Sequence, residues 1–136
     1  MSSPAAYDAV ASYLREVWNI TPLVFENEMA SAPTDDHWIF VEMVGGLYAQ
    51  QSMGAETLDA NLWREEGTLW LHVMMPSFRG TQTGRGYAWQ LVQLLTRQPI
   101  PPIVFRDAMV GAGEPAVKID GNFAAMTATI EWHRDE

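Results

Sequence analysis

Two hydrophobic periods follow each other in residues 68–95, and the change between them predicts a strand followed by a helix. Residues 68–75 alternate with a period of two, which is typical of a strand with one buried side. The side predicted to be buried carries Leu69, Leu71, Val73 and Met75. The side predicted to face outward carries Trp70, His72 and Met74. Pro76 has no N–H to give to a ladder, so the strand should end there.

The second period is that of an amphipathic helix. Its apolar side carries Tyr87, Ala88, Leu91, Val92, Leu94 and Leu95. Gln90, Gln93 and Arg97 fall on the polar side, and Trp89 lies just outside the apolar arc. Gly84 projects toward the apolar side, where its missing side chain should let the start of the helix lie close to the sheet.

The remaining chain predicts one more helix and several strands. Ser3 and Pro4 form a good helix start, and Asn19 is a plausible stop. Strands are predicted at residues 23–25, 38–44, 103–105, 116–119 and 123–132. Gly45 and Gly46 should form a bulge through which the second strand continues, and Gly67 is a second predicted bulge, where residues 62–64 join the strand that follows.

This order of elements predicts an α+β fold. We expect an antiparallel or mixed β-sheet of about five strands packed by two α-helices, a single-layer α/β sandwich. The length of 136 residues fits one domain that spans residues 1–136.

Composition narrows the possible partners. The formal net charge is -9, and Lys118 is the sole lysine, so general binding to nucleic acid or to acidic membranes is not expected. No run reaches the roughly 20 apolar residues of a membrane span, and no secretory signal is visible, so a soluble intracellular protein is the default expectation. The lack of cysteine removes thiol nucleophiles and thiolate zinc sites.

Three patterns suggest chemistry, and each has a plainer interpretation. The glycine connector, residues 80–86, lies between a strand and a helix as an anion-binding turn does, but it lacks the spacing of known nucleotide loops. A tight turn with close packing is the plainer reading. The chain also contains the hydroxyl, histidine and carboxylate residues that an acyl-transfer triad needs, but it lacks the Gly-x-Ser-x-Gly motif that positions a nucleophilic serine.

A metal site is the third pattern. Carboxylates at residues 35–36 and 65–66 could combine with His72 or His133, but no pair has ligand spacing. Each acidic pair sits at a predicted turn or strand end, where solvated charge is normal. Neither a metal nor a cofactor is therefore predicted.

The aromatic residues are more informative. Five tryptophans fall on predicted sheet or helix surfaces: Trp38, Trp63, Trp70, Trp89 and Trp132. Core packing can absorb several of them, and the rest favour a protein–protein interface on a small acidic domain.

A series of short motifs resembles the bacteriophage tail terminator, or tail-completion, family. The matching segments are residues 21–27, 38–41, 51–54 and 67–76, then Gly80, Gly84 and Gly86, and finally residues 121–123 before the last strand. They cover nearly the whole chain in order. The family's usual Pro-x-Gly-x-Gly connector is looser here, because residues 77–79 and 81–83 separate the glycines.

This resemblance implies an assembly protein without enzymatic activity. Members form a ring, commonly a hexamer, that docks on the tail tube protein, stops tube polymerisation and meets the head completion or connector proteins. DNA passes through the lumen without sequence-specific contact. The implied location is the neck of the virion tail, with assembly in the bacterial cytoplasm. Two alternatives stay open. The chain could be a different head–tail joining component, or it could be a small anion-binding domain or enzyme that uses the glycine connector.

We propose an interface with the tube or with the neighbouring subunit. Its residues lie on the outward side of the strand, in the connector and on the second helix. They are Trp70, His72, Met74, Arg79, Arg85 and Trp89. We also expect residues 29–36 to form a loop that orders on assembly; its marked positions are Met29, Thr34, Asp35 and Asp36.

Overall fold

The computed structural model describes residues 2–26, 36–52, 54, 61–76, 80–110, 117–120 and 123–136. It has an α+β fold, as the sequence predicts. The elements in chain order are α1 (Pro4–Val17), β1 (Leu23–Phe25), β2 (Trp38–Gln50), β3 (Trp63–Pro76), α2 (Gln82–Thr96), β4 (Ile103–Val110), β5 (Val117–Asp120) and β6 (Phe123–Asp135). None of the helices in the described ranges has the length and apolarity needed to cross a membrane.

The sheet is mixed, and both helices pack against one of its faces. Its strand order is β1-β2-β3-β6-β4, and β5 also pairs with β6. The short β1 runs parallel to β2, and the other pairs are antiparallel. The core contains the buried sides of both helices together with alternate residues of β2, β3 and β6. The sheet therefore has one face inside the core and one face turned away from it.

The first helix begins where the sequence predicts. Ser3 is its N-cap, with a hydroxyl oxygen that accepts a hydrogen bond of 3.3 Å from the Ala6 N–H, and Pro4 occupies the first turn. The helix ends at Val17, slightly before the predicted stop at Asn19. Its buried residues are Ala6, Val10, Ala11 and Leu14.

The second helix confirms the predicted role of Gly84. A Cβ atom at Gly84 would lie 2.7 Å from Cγ of Met75 on β3 and closer still to the sulfur. Only a glycine lets α2 approach the strand this closely without displacing Met75. The buried residues of α2 lie on the predicted side, with Ala88, Leu91, Val92 and Leu95 in the core.

One of the two predicted bulges is wrong. The pairing of β2 with β3 shifts between Gly45 and Tyr48, so the extra residue belongs to β2. Gly67 stays in register, opposite Gly45 on one side and Trp132 on the other. A Cβ atom at Gly67 would come within 2.6 Å of the Trp132 ring and would also collide with the Val44 carbonyl oxygen. Gly67 is therefore needed for close packing inside an unbroken strand.

A buried ion pair joins the start of α1 to the sheet, where the sequence suggested solvated charge. Glu65 and Arg134 have side chains that are each 9% exposed, and Arg134 Nε lies 3.1 Å from Glu65 Oε1. Ser3 donates twice to the same carboxylate, from its N–H at 2.7 Å and from its hydroxyl at 2.6 Å. Burial alone would raise the pKa of Glu65, but the hydrogen bonds from Ser3 and Arg134 outweigh it and lower that pKa.

Candidate interaction surface

The sheet face that the helices leave uncovered combines apolar and polar side chains in rows across the strands. One row runs through Glu42, Trp70, Thr129 and Met109, on β2, β3, β6 and β4. Beside it, His72 pairs with Phe40 on β2 and with Thr127 on β6. On the other side, Thr68 pairs with Val44 on β2 and with Glu131 on β6. We call these three rows the open sheet face.

Large apolar side chains on this face are exposed to solvent. Trp70 is 40% exposed, Met109 60% and Val44 39%. Covering such side chains with a partner is favourable, because each square ångström of apolar surface removed from water contributes roughly 25 cal/mol to the free energy of association. A cluster of them on a protein surface therefore indicates an interaction site. Trp70, which lies in the middle of its row, is the best anchor for such a partner.

A hydrogen-bonded trio beside Trp70 fixes the polar part of the face. His72 Nε2 lies 2.6 Å from Glu42 Oε1, and His72 Nδ1 lies 2.9 Å from the Thr127 hydroxyl. Because a carboxylate can only accept, Nε2 must carry a proton. In the neutral ring, Nδ1 then accepts from the Thr127 hydroxyl. The trio holds the imidazole in one orientation, with its side chain only 15% exposed.

The imidazole in turn supports the two aromatic neighbours. Phe40 stacks on His72, with a ring centroid distance of 5.9 Å and an interplanar angle of 26°. The Trp70 ring is tilted against the same imidazole, with a centroid distance of 5.9 Å and an interplanar angle of 46°. Aromatic contacts of this type position rings as well as burying them. Trp70 is therefore presented to solvent by a supported side-chain cluster.

The order hydroxyl, imidazole and carboxylate in this trio is also that of an acyl-transfer triad. Acyl transfer further requires a concave site and donors that converge on a developing oxyanion. Thr127 lies in the interior of β6, on the open sheet face. The cavities beside Gly67, beside Trp18 and beside Pro99 are lined by residues other than Glu42, His72 and Thr127. We therefore interpret the trio as a positioning cluster for the surface.

Sequence reasoning did not find this trio, although it contained one signal. Glu42 is the single charged residue in an otherwise apolar run, residues 38–44, and a lone carboxylate on a strand surface needs a partner. The partner, His72, is 30 positions away, and the pairing register of β2 with β3 decides that they meet. The sequence shows the two residues but not the register.

The predicted interface residues have different fates in the structure. Trp70 and Trp89 are exposed, at 40% and 56%, and Arg85 on α2 is exposed as well. His72 is half-buried in the trio. Met74 lies on the predicted side of β3 but is only 3% exposed, so its prediction as an accessible contact is wrong.

Several predicted positions lie outside the described residues. They are Arg79 of the connector and Met29, Thr34 and Asp35 of the predicted assembly loop. Asp36 is described and exposed, and its carboxylate accepts a hydrogen bond of 2.8 Å from the His37 N–H. Among the residues that can be placed, no group of three or more acidic or histidine side chains is arranged to hold a metal ion.

The other tryptophans divide between core and surface. Trp132 is 1% exposed and packs on Gly67, and Trp18 is 4% exposed at the end of α1. Trp38 and Trp63 are half-buried. The two tryptophans that remain clearly exposed, Trp70 and Trp89, belong to two different surfaces, the open sheet face and the second helix.

Comparison with known proteins supports the fold alone. No protein-family model matches the sequence, and no curated protein matches it. One solved structure is similar over 94% of this chain and 91% of its own, with a TM-score of 0.56 and 13% sequence identity. At this identity the likeness extends the architecture to a second protein and does not carry a function.

Proposed function

We propose that this chain is a structural assembly protein of a phage-type tail, which caps the tail tube and presents a surface to the head completion proteins. The observation that carries the proposal is the open sheet face, with Trp70 held at its centre by the His72 cluster. The resemblance to tail terminators supplies the partners: copies of itself in a ring, a tail tube protein and a head completion or connector protein.

The surface chemistry is compatible with this role. An interface core is typically rich in aromatic residues and methionine and poor in lysine, which describes the row that contains Trp70 and Met109. The net charge of -9 suits a ring through which DNA must pass without binding tightly, because like charges repel. We propose no reaction, cofactor or metal for this chain.

Capping can be tested directly with a purified phage tail tube protein from the same genome. Purified chain is added to polymerising tube protein, and tube lengths and end density are measured by electron microscopy. We expect tubes that stop growing and carry an additional density at one end. Tubes of unchanged length with bare ends would contradict the proposal.

The variant Trp70→Asp tests the surface that carries the proposal. Trp70 is outside the core, so the variant should keep the wild-type melting temperature within about 2–4 °C. Binding should change much more, because a central tryptophan of an interface contributes roughly 2 kcal/mol or more to the binding free energy. We expect loss of tube capping at concentrations where the wild-type chain caps fully. Capping is scored by the fraction of tube ends that carry density.

Ile20→Asp is the matched control, since Ile20 is 52% exposed and lies outside the open sheet face. It introduces the same charge on an exposed apolar position, so it should cap normally. If Trp70→Asp capped as well as Ile20→Asp, the open sheet face would have no part in tube binding or ring formation.

A further inference from the structure

A second exposed tryptophan marks a surface on α2 that differs in charge from the open sheet face. Gln82, Arg85, Trp89, Gln93 and Thr96 follow each other at helical spacing along one side of α2. We call this side the α2 flank. Trp89, in its middle, is 56% exposed, the largest exposure of any tryptophan in the described ranges.

The opposite side of α2 is already occupied by α1. The Tyr87 ring meets the Trp18 ring edge-on at 6.0 Å, and the Tyr13 hydroxyl donates to the Leu94 carbonyl oxygen at 3.2 Å. The buried side of α2 lies on the sheet. Most of the α2 flank is thus turned away from α1, and Gln93 alone among its residues also borders a groove with Val17 and Trp18 at the end of α1.

Charge distinguishes the two surfaces. Residues 82–96 of α2 contain no acidic residue, and Arg85 lies on the flank, with Arg97 just after the helix. The open sheet face carries Glu42 and Glu131, and Glu66 next to it is paired with Arg106 at 3.9 Å. Because the whole chain has 17 acidic and 8 basic residues, two copies repel each other over most orientations. Contact between the α2 flank and the open sheet face replaces that repulsion by attraction.

We infer that the open sheet face of one copy binds the α2 flank of the next copy, with Trp70 and Trp89 as the two anchors. The inference rests on the proposed function, whose ring needs a contact between copies, and adds which surfaces make that contact. Since the two surfaces are different, each copy uses both, and the contact is heterologous. A two-fold dimer is not the expected product.

The position of Trp89 on the helix also gives the contact a direction. Successive residues of an α-helix are about 100° apart, so Trp89 is rotated by that angle from its buried neighbour Ala88. The flank therefore faces sideways from the two-layer fold, while the open sheet face points away from the helices. Repeating a contact between surfaces that are not back to back turns the chain of copies, as a closed ring requires.

Mixing two blocked variants tests the inference. Trp70→Asp retains the α2 flank, and Trp89→Asp retains the open sheet face. Each variant alone should associate roughly 30-fold more weakly than the wild-type chain, as expected for loss of a hot-spot tryptophan. Their mixture should form a heterodimer of two 15.2 kDa chains and nothing larger, as measured by light scattering and analytical ultracentrifugation.

Other results would overturn the inference. One is a mixture of the two variants that associates as weakly as each variant alone. Another is a Trp89→Asp variant that assembles like the wild-type chain. Leu62→Asp, at a position that is 38% exposed and belongs to neither surface, is the control that should assemble normally. A wild-type chain that stays monomeric up to about 1 mM would also overturn the inference, because the dissociation constant of the contact would then exceed about 1 mM.

Cross-linking separates this inference from the proposed function, because the chain has no cysteine of its own. Thr129→Cys places a thiol beside Trp70, and Gln93→Cys places one on the α2 flank. A short bismaleimide should join the two variants when they are mixed and should leave each alone unlinked. Cross-links without tube capping would refute the function and keep the contact; capping without cross-links would refute the contact and keep the function.

Discussion

Replacing Arg134 by methionine is expected to lower the free energy of unfolding by about 3–5 kcal/mol, because it leaves the Glu65 carboxylate buried without its charge partner. The two side chains are each 9% exposed, and their nearest atoms are 3.1 Å apart. Methionine preserves most of the apolar volume of arginine, so the effect reports the charge. Urea unfolding followed by circular dichroism measures the difference.

Two controls make this result specific to burial. Arg64 and Asp135 form a pair at 2.6 Å at the same end of the sheet, but their side chains are 28% and 35% exposed. Arg64→Met should cost less than about 1 kcal/mol, as exposed pairs do. The double variant Glu65→Leu with Arg134→Met should recover part of the loss, since it removes the stranded charge.

The same pair predicts a pH signature. The pKa of Glu65 is lowered from 4.5 in the folded chain, so its contribution to stability is present above pH 4.5 and is lost as the pH falls through the lowered value. The difference between wild type and Arg134→Met should therefore shrink below about pH 4.5, because protonation neutralises the stranded carboxylate. A difference that stays constant between pH 7 and pH 3 would show that lost packing, not charge, is the cause.

Gly67→Val is expected to destabilise the fold by about 3 kcal/mol or more, at the upper end for overpacked cores. The new Cβ atom would collide with the Val44 carbonyl oxygen, which is backbone and cannot rotate away. It would also lie 2.6 Å from the ring of Trp132, which is 1% exposed. Either β2 must separate from β3 or Trp132 must leave its site. Thermal unfolding and tryptophan fluorescence report both events.

Gly86→Ala is the matched control, because a Cβ atom there meets nothing within 4 Å. Alanine at this helical position should leave stability unchanged or raise it by roughly 0.5–1 kcal/mol, since it restricts the unfolded chain. If Gly67→Val proved as mild as Gly86→Ala, the close packing around Gly67 would not contribute to stability.

Local sequence rules were enough to predict the elements and part of their packing. The N-cap at Ser3, the apolar side of α2 and the close approach at Gly84 each depend on residues within a few turns or strands of one another. Strand alternation likewise predicts which side of β3 joins the core. These features follow from helix and strand periods alone, which is why the predicted α+β fold is confirmed.

Features set by pairing register were beyond those rules. Glu65 meets Arg134 and His72 meets Glu42 because of the offsets at which β3 pairs with β6 and β2. The exposure of Met74 was predicted wrongly for a related reason. Alternation assigns its side of the strand, but it does not say whether other parts of the molecule cover that side.

The inner position of β6 has a consequence for how the chain folds. It pairs with β3 on one side and β4 on the other, yet it is the last strand in sequence. The β2–β3 hairpin can form from neighbouring segments, whereas β6 must close a much longer loop to complete the sheet. Until it does, β3 keeps an unpaired edge of apolar residues. That edge is where partly folded chains would be most prone to aggregate.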